Sequence, residues 1–220
     1  MAPSPAPAAR TALVAGATGL VGRAILQGLL ADPSVASVHV LARRAPALEH
    51  PKLRVQLVDF AALPPLPAAD EAYLALGTTI KVAGSQAAFR AVDFEASLAV
   101  ARGAQAAGAR RVGLVSAMGA DARSSIFYNR VKGELEEALE RLSFAALVIA
   151  RPSLLVGDRA VLGQPERRGE KIGLQVSRWI RPLIPKDLRP IRAEDVAQAL
   201  LRNVPTATGT LVLPSGQMQP

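Results

Sequence analysis

Tyr128 and Lys132 stand four residues apart in the run Tyr128-Asn129-Arg130-Val131-Lys132. On a helix that spacing puts both side chains on one face. A phenol ordinarily keeps its proton up to about pH 10, and a neighbouring ammonium favours the phenolate. A tyrosine in that setting can give a proton to a carbonyl oxygen while hydride arrives at the carbon, or take one back in the reverse direction. The alternative for the same spacing is an ordinary surface pair.

A second group of residues could hold an anion. The run Ala15-Gly16-Ala17-Thr18-Gly19-Leu20-Val21-Gly22 follows the apolar stretch Ala12-Leu13-Val14. It leads into apolar residues at helical spacing, Ile25, Leu26, Leu29 and Leu30. Strand, glycine turn and helix in that order aim backbone N–H groups and a helix N-terminus at a dinucleotide pyrophosphate. Gly16 permits the tight turn, Gly19 has no Cβ to block the phosphates, and Gly22 lets the helix sit close to the sheet. Thr18, Leu20 and Val21 complete the candidate binding loop. The spacing is G-x-x-G-x-x-G rather than G-x-G-x-x-G, so the flanking strand and helix carry the assignment. A merely structural glycine turn is the alternative.

These groups need a scaffold. Short apolar runs at 11–15, 38–42, 53–58, 72–76, 111–115 and 145–150 read as buried strands. Helical patterns lie at 20–31, 85–107 and 124–142. The alternation predicts an α/β fold, a Rossmann-type doubly wound parallel sheet covered on both faces. Tyr128 and Lys132 then fall on the helix after the fifth strand. Residues 59–69 hold too many prolines for a long helix.

Beyond Arg151-Pro152 the pattern changes. Residues 157–173 are polar and loop-like, 171–183 form a basic amphipathic helix candidate carrying Trp179, 193–203 form another helix, and 210–213 a last short strand. The expectation is one domain over 11–220, with 151–207 contributing a small cap over the carboxyl ends of the strands, where ligands bind in such sheets. The Trp179 helix reads as a lid of that cap. Its second reading is attachment to a membrane surface or protein partner, since Arg178, Arg181 and Lys186 flank Ile180, Leu183 and Ile184.

Cofactor choice has a physical handle. An acid at the end of the second strand binds the 2′-hydroxyl of NAD, whereas arginine accommodates the 2′-phosphate of NADP. Here Val38-His39-Val40-Leu41-Ala42 runs into Arg43-Arg44 with no carboxylate. A guanidinium pairs with phosphate through two parallel hydrogen bonds. NADP(H) is therefore favoured over NAD(H); the alternative is two solvated loop charges.

Composition narrows the classes. The chain has 220 residues, half of them hydrophobic, and no cysteine, which excludes disulfides, thiolate nucleophiles and cysteine metal sites. His39 and His50 are the only imidazoles, too few for a histidine-rich zinc site. No apolar run approaches the roughly 18 residues of a spanning helix. Residues 1–10 are rich in Ala and Pro, lack the apolar centre of a secretory signal, and read as a flexible tail. A cytoplasmic protein is the resulting expectation. The net charge is +8 with a pI near 10.7. Arginine is dispersed and aromatics are only 4%, so dedicated nucleic-acid binding is not expected.

Together the motifs resemble the short-chain dehydrogenase/reductase family, in its atypical or extended branch, and within it the Tat-interacting-protein-like group. The resemblance rests on Gly16 to Gly22 with Tyr128 and Lys132. It is extended by Leu76-Gly77-Thr78-Thr79, Ala83-Gly84-Ser85, Phe89-Arg90-Ala91-Val92-Asp93, Ser116 through Gly119-Ala120-Asp121, Ser124-Ser125, Val131-Lys132-Gly133-Glu134 and Arg151-Pro152. It covers residues 11–158 well and loosens toward the C-terminus, where Ile191-Arg192-Ala193-Glu194-Asp195-Val196-Ala197 is similar to a stretch of extended members.

That resemblance implies an NAD(P)-binding oxidoreductase with Tyr128 as acid/base and Lys132 as its electrostatic partner and a holder of the cofactor ribose. It implies a serine at the end of the fifth strand holding the substrate oxygen. Ser116 stands there, but Ala117 replaces the second hydroxyl residue of many relatives, with Ser124 or Ser125 as substitutes. It also implies cofactor contacts from Asp59 and Phe60 near the adenine, from Leu76, Gly77 and Thr78 beneath the cofactor, and from Pro152 and Ser153 beside the nicotinamide. The leading reading is hydride transfer to or from a small carbonyl or alcohol. A non-catalytic NADP(H)-responsive binding or regulatory protein is the second, and a nucleotide-sugar epimerase or dehydratase the third. Helices of such domains often pair, which leaves a homodimer open.

Overall fold

The computed structural model describes residues 9–156 and 185–220. The tail at 1–8 and the segment 157–184, including the Trp179 helix and most of the expected cap, lie outside the described residues. The chain opens with β1 (Arg10–Ala15), α1 (Leu20–Ala31), β2 (Val35–Ala42), β3 (Leu53–Leu57) and β4 (Glu71–Leu74). Two short helices follow, α2 (Ile80–Ala83) and α3 (Gln86–Arg90), and α3 runs through a π-helical stretch, Ala91–Ala96, into α4 (Ser97–Ala106). Then come β5 (Arg111–Val115), α5 (Phe127–Glu140), β6 (Ala146–Arg151) and β7 (Leu155–Val156). The C-terminal part holds a 3-10 turn at Lys186–Leu188, β8 (Ile191–Arg192), α6 (Ala193–Asn203), β9 (Gly209–Pro214) and α7 (Ser215–Met218).

Seven strands form one sheet in the order β3-β2-β1-β4-β5-β6-β9. Every pairing in it is parallel. The strand order reverses at β1, next to β4. That reversal opens the crevice in which doubly wound folds bind ligands. The expectation of an α/β fold with a doubly wound parallel sheet holds.

Side-chain alternation divides the core. Ala12 and Val14 of β1 point to one face, where α1 and α6 pack with Ile25, Leu29, Val196 and Leu200. Leu13 and Ala15 point to the other, against Val100, Ala101 and Ala104 of α4 and Leu135 and Leu139 of α5. Strands covered on both faces explain the near-continuous apolar runs in the sequence.

One element sits differently from expectation. The expectation of a cap over 151–207 takes in the helix at 193–203, and 210–213 is expected as a last short strand. The structure places α6 against α1 in the main helix layer, and β9 beside β6 as the last strand of the sheet. Their apolar faces, Val196 and Leu200 among them, are what closes that layer. Outside the main sheet, β7 and β8 pair in parallel as a separate two-stranded ribbon.

Candidate functional site

The glycine turn follows β1 directly. Gly16 has φ +91°, and a Cβ there would lie 2.3 Å from the Ala75 carbonyl oxygen, so only glycine fits between β1 and the end of β4. A Cβ on Gly22 would lie 2.1 Å from the Gly16 oxygen, so α1 starts in contact with the turn. Gly19 is different. It is the N-cap of α1, and its Cβ would meet protein no closer than 3.4 Å. Packing does not demand glycine there; an approaching ligand would. No side chain caps α1 and no acid occupies its first turn. The leading N–H groups and the positive end of the helix are therefore left for an outside anion. Thr18 is exposed on this loop, whereas the Val21 side chain is core, so Val21 can offer only its backbone.

Arg43 and Arg44 leave the end of β2 and are exposed. Among the described residues neither has an ion pair or hydrogen bond, which leaves both guanidinium groups available. Asp59 is exposed and accepts the Ala61 N–H at 2.9 Å through one oxygen. Phe60 beside it is half-buried against the second core. The glycine cradle and the uncapped helix fit the pyrophosphate of a dinucleotide, and the exposed arginines lie at the end of the neighbouring strand.

The proton-moving pair lies on α5. Tyr128 is half-buried with its ring 5.5 Å from that of Phe89, and its hydroxyl has no hydrogen bond among the described residues. Lys132, one turn further on, is only 4% exposed, which removes the reading of a surface pair. Its Nζ lies 2.7 Å from Asp93 Oδ1, as an ion-pair contact off the hydrogen-bonding line. Asp93 is fully buried in the π-helical stretch, and its Oδ2 accepts the Thr78 N–H at 2.9 Å. Gly77 is exposed beside it and Leu76 half-buried, so the loop after β4 and the lysine share one carboxylate.

The start of α5 is fixed by close packing. A Cβ on Gly133 would fall 2.2 Å from the Ala122 nitrogen, so the 117–126 loop lies directly on the helix. The Asp121 N–H donates to the Asn129 oxygen at 3.1 Å. Ser124 Oγ accepts the Ile126 N–H at 3.2 Å, while Ser125 is exposed.

Ser116 departs from expectation. It is buried, and its hydroxyl donates to the Glu136 carboxylate. Arg151 closes on that carboxylate, with Nε 3.1 and 3.2 Å from its two oxygens. The Glu136 hydrogen bond, with added charge attraction, holds Arg151 above the usual guanidinium range. Glu136 lies two helical turns from Tyr128, about 12 Å along the axis. The Ser116 proton is thus committed to a structural network rather than free to hold a substrate oxygen. Ser153 is also engaged. It donates to the Arg189 carbonyl and accepts from Ser215 at 3.0 Å. The neighbouring Pro152 is buried, and its carbonyl accepts the Met118 N–H at 2.8 Å.

Two buried acids that organise these networks, Asp93 and Glu136, were not singled out from the sequence. A signal existed for the first. Phe89, Asp93, Ala96 and Val100 follow the spacing of a buried helical face, and an acid on such a face needs a partner.

A family described as NAD(P)H-binding matches residues 16–179. The protein fmp52, mitochondrial, of Emericella nidulans is 36% identical over 163 residues, covering 69% of each chain. The protein FMP52, mitochondrial, of Candida albicans is 30% identical over 197 residues, covering 86% of this chain and 85% of its own. Among solved structures, a short chain dehydrogenase family protein from Francisella tularensis superposes with a TM-score of 0.69 at 13% identity. It covers 94% of this chain and 98% of its own, a likeness of fold. The relatives' names overturn the expectation of a cytoplasmic protein. That expectation rested on the lack of an apolar secretory segment, which bears on secretion and not on organelles.

Proposed function

The chain belongs to the NAD(P)H-binding family, with the oxidoreductase-type fold of atypical short-chain dehydrogenases, and from that premise we propose that it is an NADP(H)-dependent oxidoreductase acting on a small carbonyl or alcohol. The observation that carries this reading is the buried Lys132 one turn from the Tyr128 hydroxyl, which is unengaged among the described residues, on the helix following β5. The nicotinamide, when bound, supplies or accepts the hydride. Tyr128 gives its phenolic proton to the carbonyl oxygen during reduction and withdraws it during oxidation. Lys132 supplies the positive charge beside it and reaches the ribose. Gly16, Gly19 and the first turn of α1 hold the pyrophosphate, and Gly77 and Thr78 floor the cofactor. Arg43 and Arg44 receive the 2′-phosphate and set the preference for NADP(H) over NAD(H). Ser125 is the hydroxyl best able to take the position that Ser116 does not fill.

Tyr128→Phe tests the role. With NADPH and a panel of small carbonyls, turnover should fall by about 10²–10⁴-fold, while NADPH affinity stays within threefold. Unchanged turnover overturns the assignment. One observation favours a second reading. Ala117 and the engaged Ser116 leave no free hydroxyl at the end of β5 among the described residues. A protein that binds NADP(H) to order a partner surface needs none. Wild-type protein that binds NADPH yet reduces no member of the panel supports that second reading.

A further inference from the structure

We propose that the site beside Tyr128 takes a carbonyl compound with an aliphatic tail, and that Met118 and Leu154 are specificity-determining residues that receive that tail. The proposal names a substrate class for the site proposed above and rests on that reading.

Of the nine large apolar side chains exposed among the described residues, six stand on the segments that border this site. Ile80 and Val82 are on α2, in the connection after β4. Met118 and Ile126 are in the connection after β5, and Ile126 is the N-cap of the helix that carries Tyr128. Leu154 follows β6, and Leu188 lies in the 3-10 turn. The carboxyl ends of the strands are where ligands bind in such sheets.

Hydrogen bonds hold these segments side by side. The Met118 N–H donates to the Pro152 carbonyl at 2.8 Å, and the Ile191 N–H to the Leu154 carbonyl at 3.0 Å. The Ser153 hydroxyl donates to the Arg189 carbonyl, next to Leu188. On the other flank the Asp121 N–H reaches the Asn129 carbonyl, beside Tyr128, and the Phe89 ring of α3 lies 5.5 Å from the Tyr128 ring. The exposed apolar residues are thus grouped about the Tyr128 end of α5. Scattered ones would need no explanation, but a group does.

Polar groups on the same segments already have partners. Thr79 Oγ1 accepts the Val82 N–H at 3.2 Å and Ser85 Oγ the Ala88 N–H at 3.0 Å, as helix caps. Ser116 is held by Glu136 and Ser153 by the Arg189 carbonyl. Arg130 donates to the Ser124 carbonyl at 2.8 Å, and Arg90 is bonded to Glu134. A polyhydroxylated substrate finds few partners here, and each hydroxyl it buries unpaired weakens binding. A hydrocarbon tail needs none and takes the Met118 and Leu154 surfaces out of water.

Primary amides test this, because they carry a carbonyl and a tail and read binding without turnover. Butanamide, hexanamide and octanamide are titrated calorimetrically into the wild-type chain with NADPH at saturation. Affinity should rise about threefold for each methylene, and hexanamide should bind more tightly than gluconamide, its polyhydroxylated counterpart. Met118→Gln/Leu154→Asn keeps the side-chain shapes but makes them polar. It should cut the octanamide-to-butanamide affinity ratio about tenfold, while the NADPH dissociation constant stays within about twofold. If the double variant does not fold, Leu154→Asn alone, at a residue 50% exposed, should cut the ratio about threefold. Flat affinities along the series, gluconamide binding as tightly as hexanamide, or a variant with the wild-type ratio each overturn the proposal. Wild-type protein that binds no NADPH defeats the cofactor reading; it is then titrated alone and held to the same outcomes. Amide affinity that climbs as expected, with no aliphatic aldehyde reduced, supports the apolar site and defeats the hydride-transfer reading, so the two failures are distinct.

Discussion

Lys132 carries a charge where water scarcely reaches, and Asp93 makes that tolerable. Removing one partner of a buried pair leaves the other uncompensated. Asp93→Ala should therefore destabilise the fold by about 3–5 kcal/mol, read as a lower urea midpoint; a loss under about 1 kcal/mol would mean the ammonium finds another partner. Ser116 belongs to a different network. Ser116→Ala removes one hydrogen bond while Arg151 continues to satisfy Glu136, so the expected cost is only about 1 kcal/mol. The i,i+4 spacing made Tyr128 and Lys132 legible. The depth of Lys132 was not, because it depends on an acid 39 positions away in the chain. Ser116 was misplaced because strand-end position does not reveal which way a hydroxyl is drawn. Glu136, two turns along α5 from Tyr128, captures it.

The glycines show which elements were readable and which were not. Gly16 and Gly22 do what their spacing implied, and both contacts are with backbone only a few residues away or on the adjacent strand. Gly133 went unread because its reason is the 117–126 loop lying on α5. Gly133→Ala puts a Cβ 2.2 Å from a backbone nitrogen that cannot swing aside. It should cost about 3 kcal/mol or more in urea unfolding, and it should displace Tyr128 by shifting the start of α5. A change below about 0.5 kcal/mol would mean the loop is free to lift. The helix expected at 85–107 is present, but its π-helical stretch is not written in propensity. It follows from bringing Asp93 to Lys132 and Thr78, a tertiary requirement.

At the scale of the molecule, a polar network ties the strand starts together, at the end of the sheet away from the site. Arg10 meets Asp32 at 2.5 Å and Glu71 at 3.3 Å, and Tyr73 donates to Glu71 at 3.1 Å. Burial, ahead of the opposing pull of Arg10, raises the Glu71 carboxyl above its ordinary 4.5. A carboxyl raised in the folded state gives stability that is full below 4.5 and is lost as pH rises through its folded value. Glu71→Gln abolishes that loss, so the variant should gain on the wild type as pH climbs from about 4 to 7. Asp32 has the opposite sign. Its hydrogen bond from Ser34 leads the causes that lower it below 3.8. Its stability is present above 3.8 and lost as pH falls through the lowered value. Asp32→Asn should therefore gain on the wild type in acid. Urea midpoints across pH check both signs; a gain for Glu71→Gln on acidification would contradict the first. The parallel order of the sheet was readable from alternating strands and helices. The packing of α6 on α1 was not, since an amphipathic helix after a polar stretch looks the same in a cap as in the main helix layer.

The central claim is that the glycine turn, the uncapped start of α1 and the arginine pair after β2 hold a phosphorylated dinucleotide. Isothermal titration of the wild-type chain and of the Arg43→Ser/Arg44→Ser variant with NADPH and with NADH tests it most directly. A saturable heat with NADPH, weaker with NADH, and a selective loss of the NADPH advantage in the variant are expected. A folded wild-type protein that gives no heat with either nucleotide would contradict it.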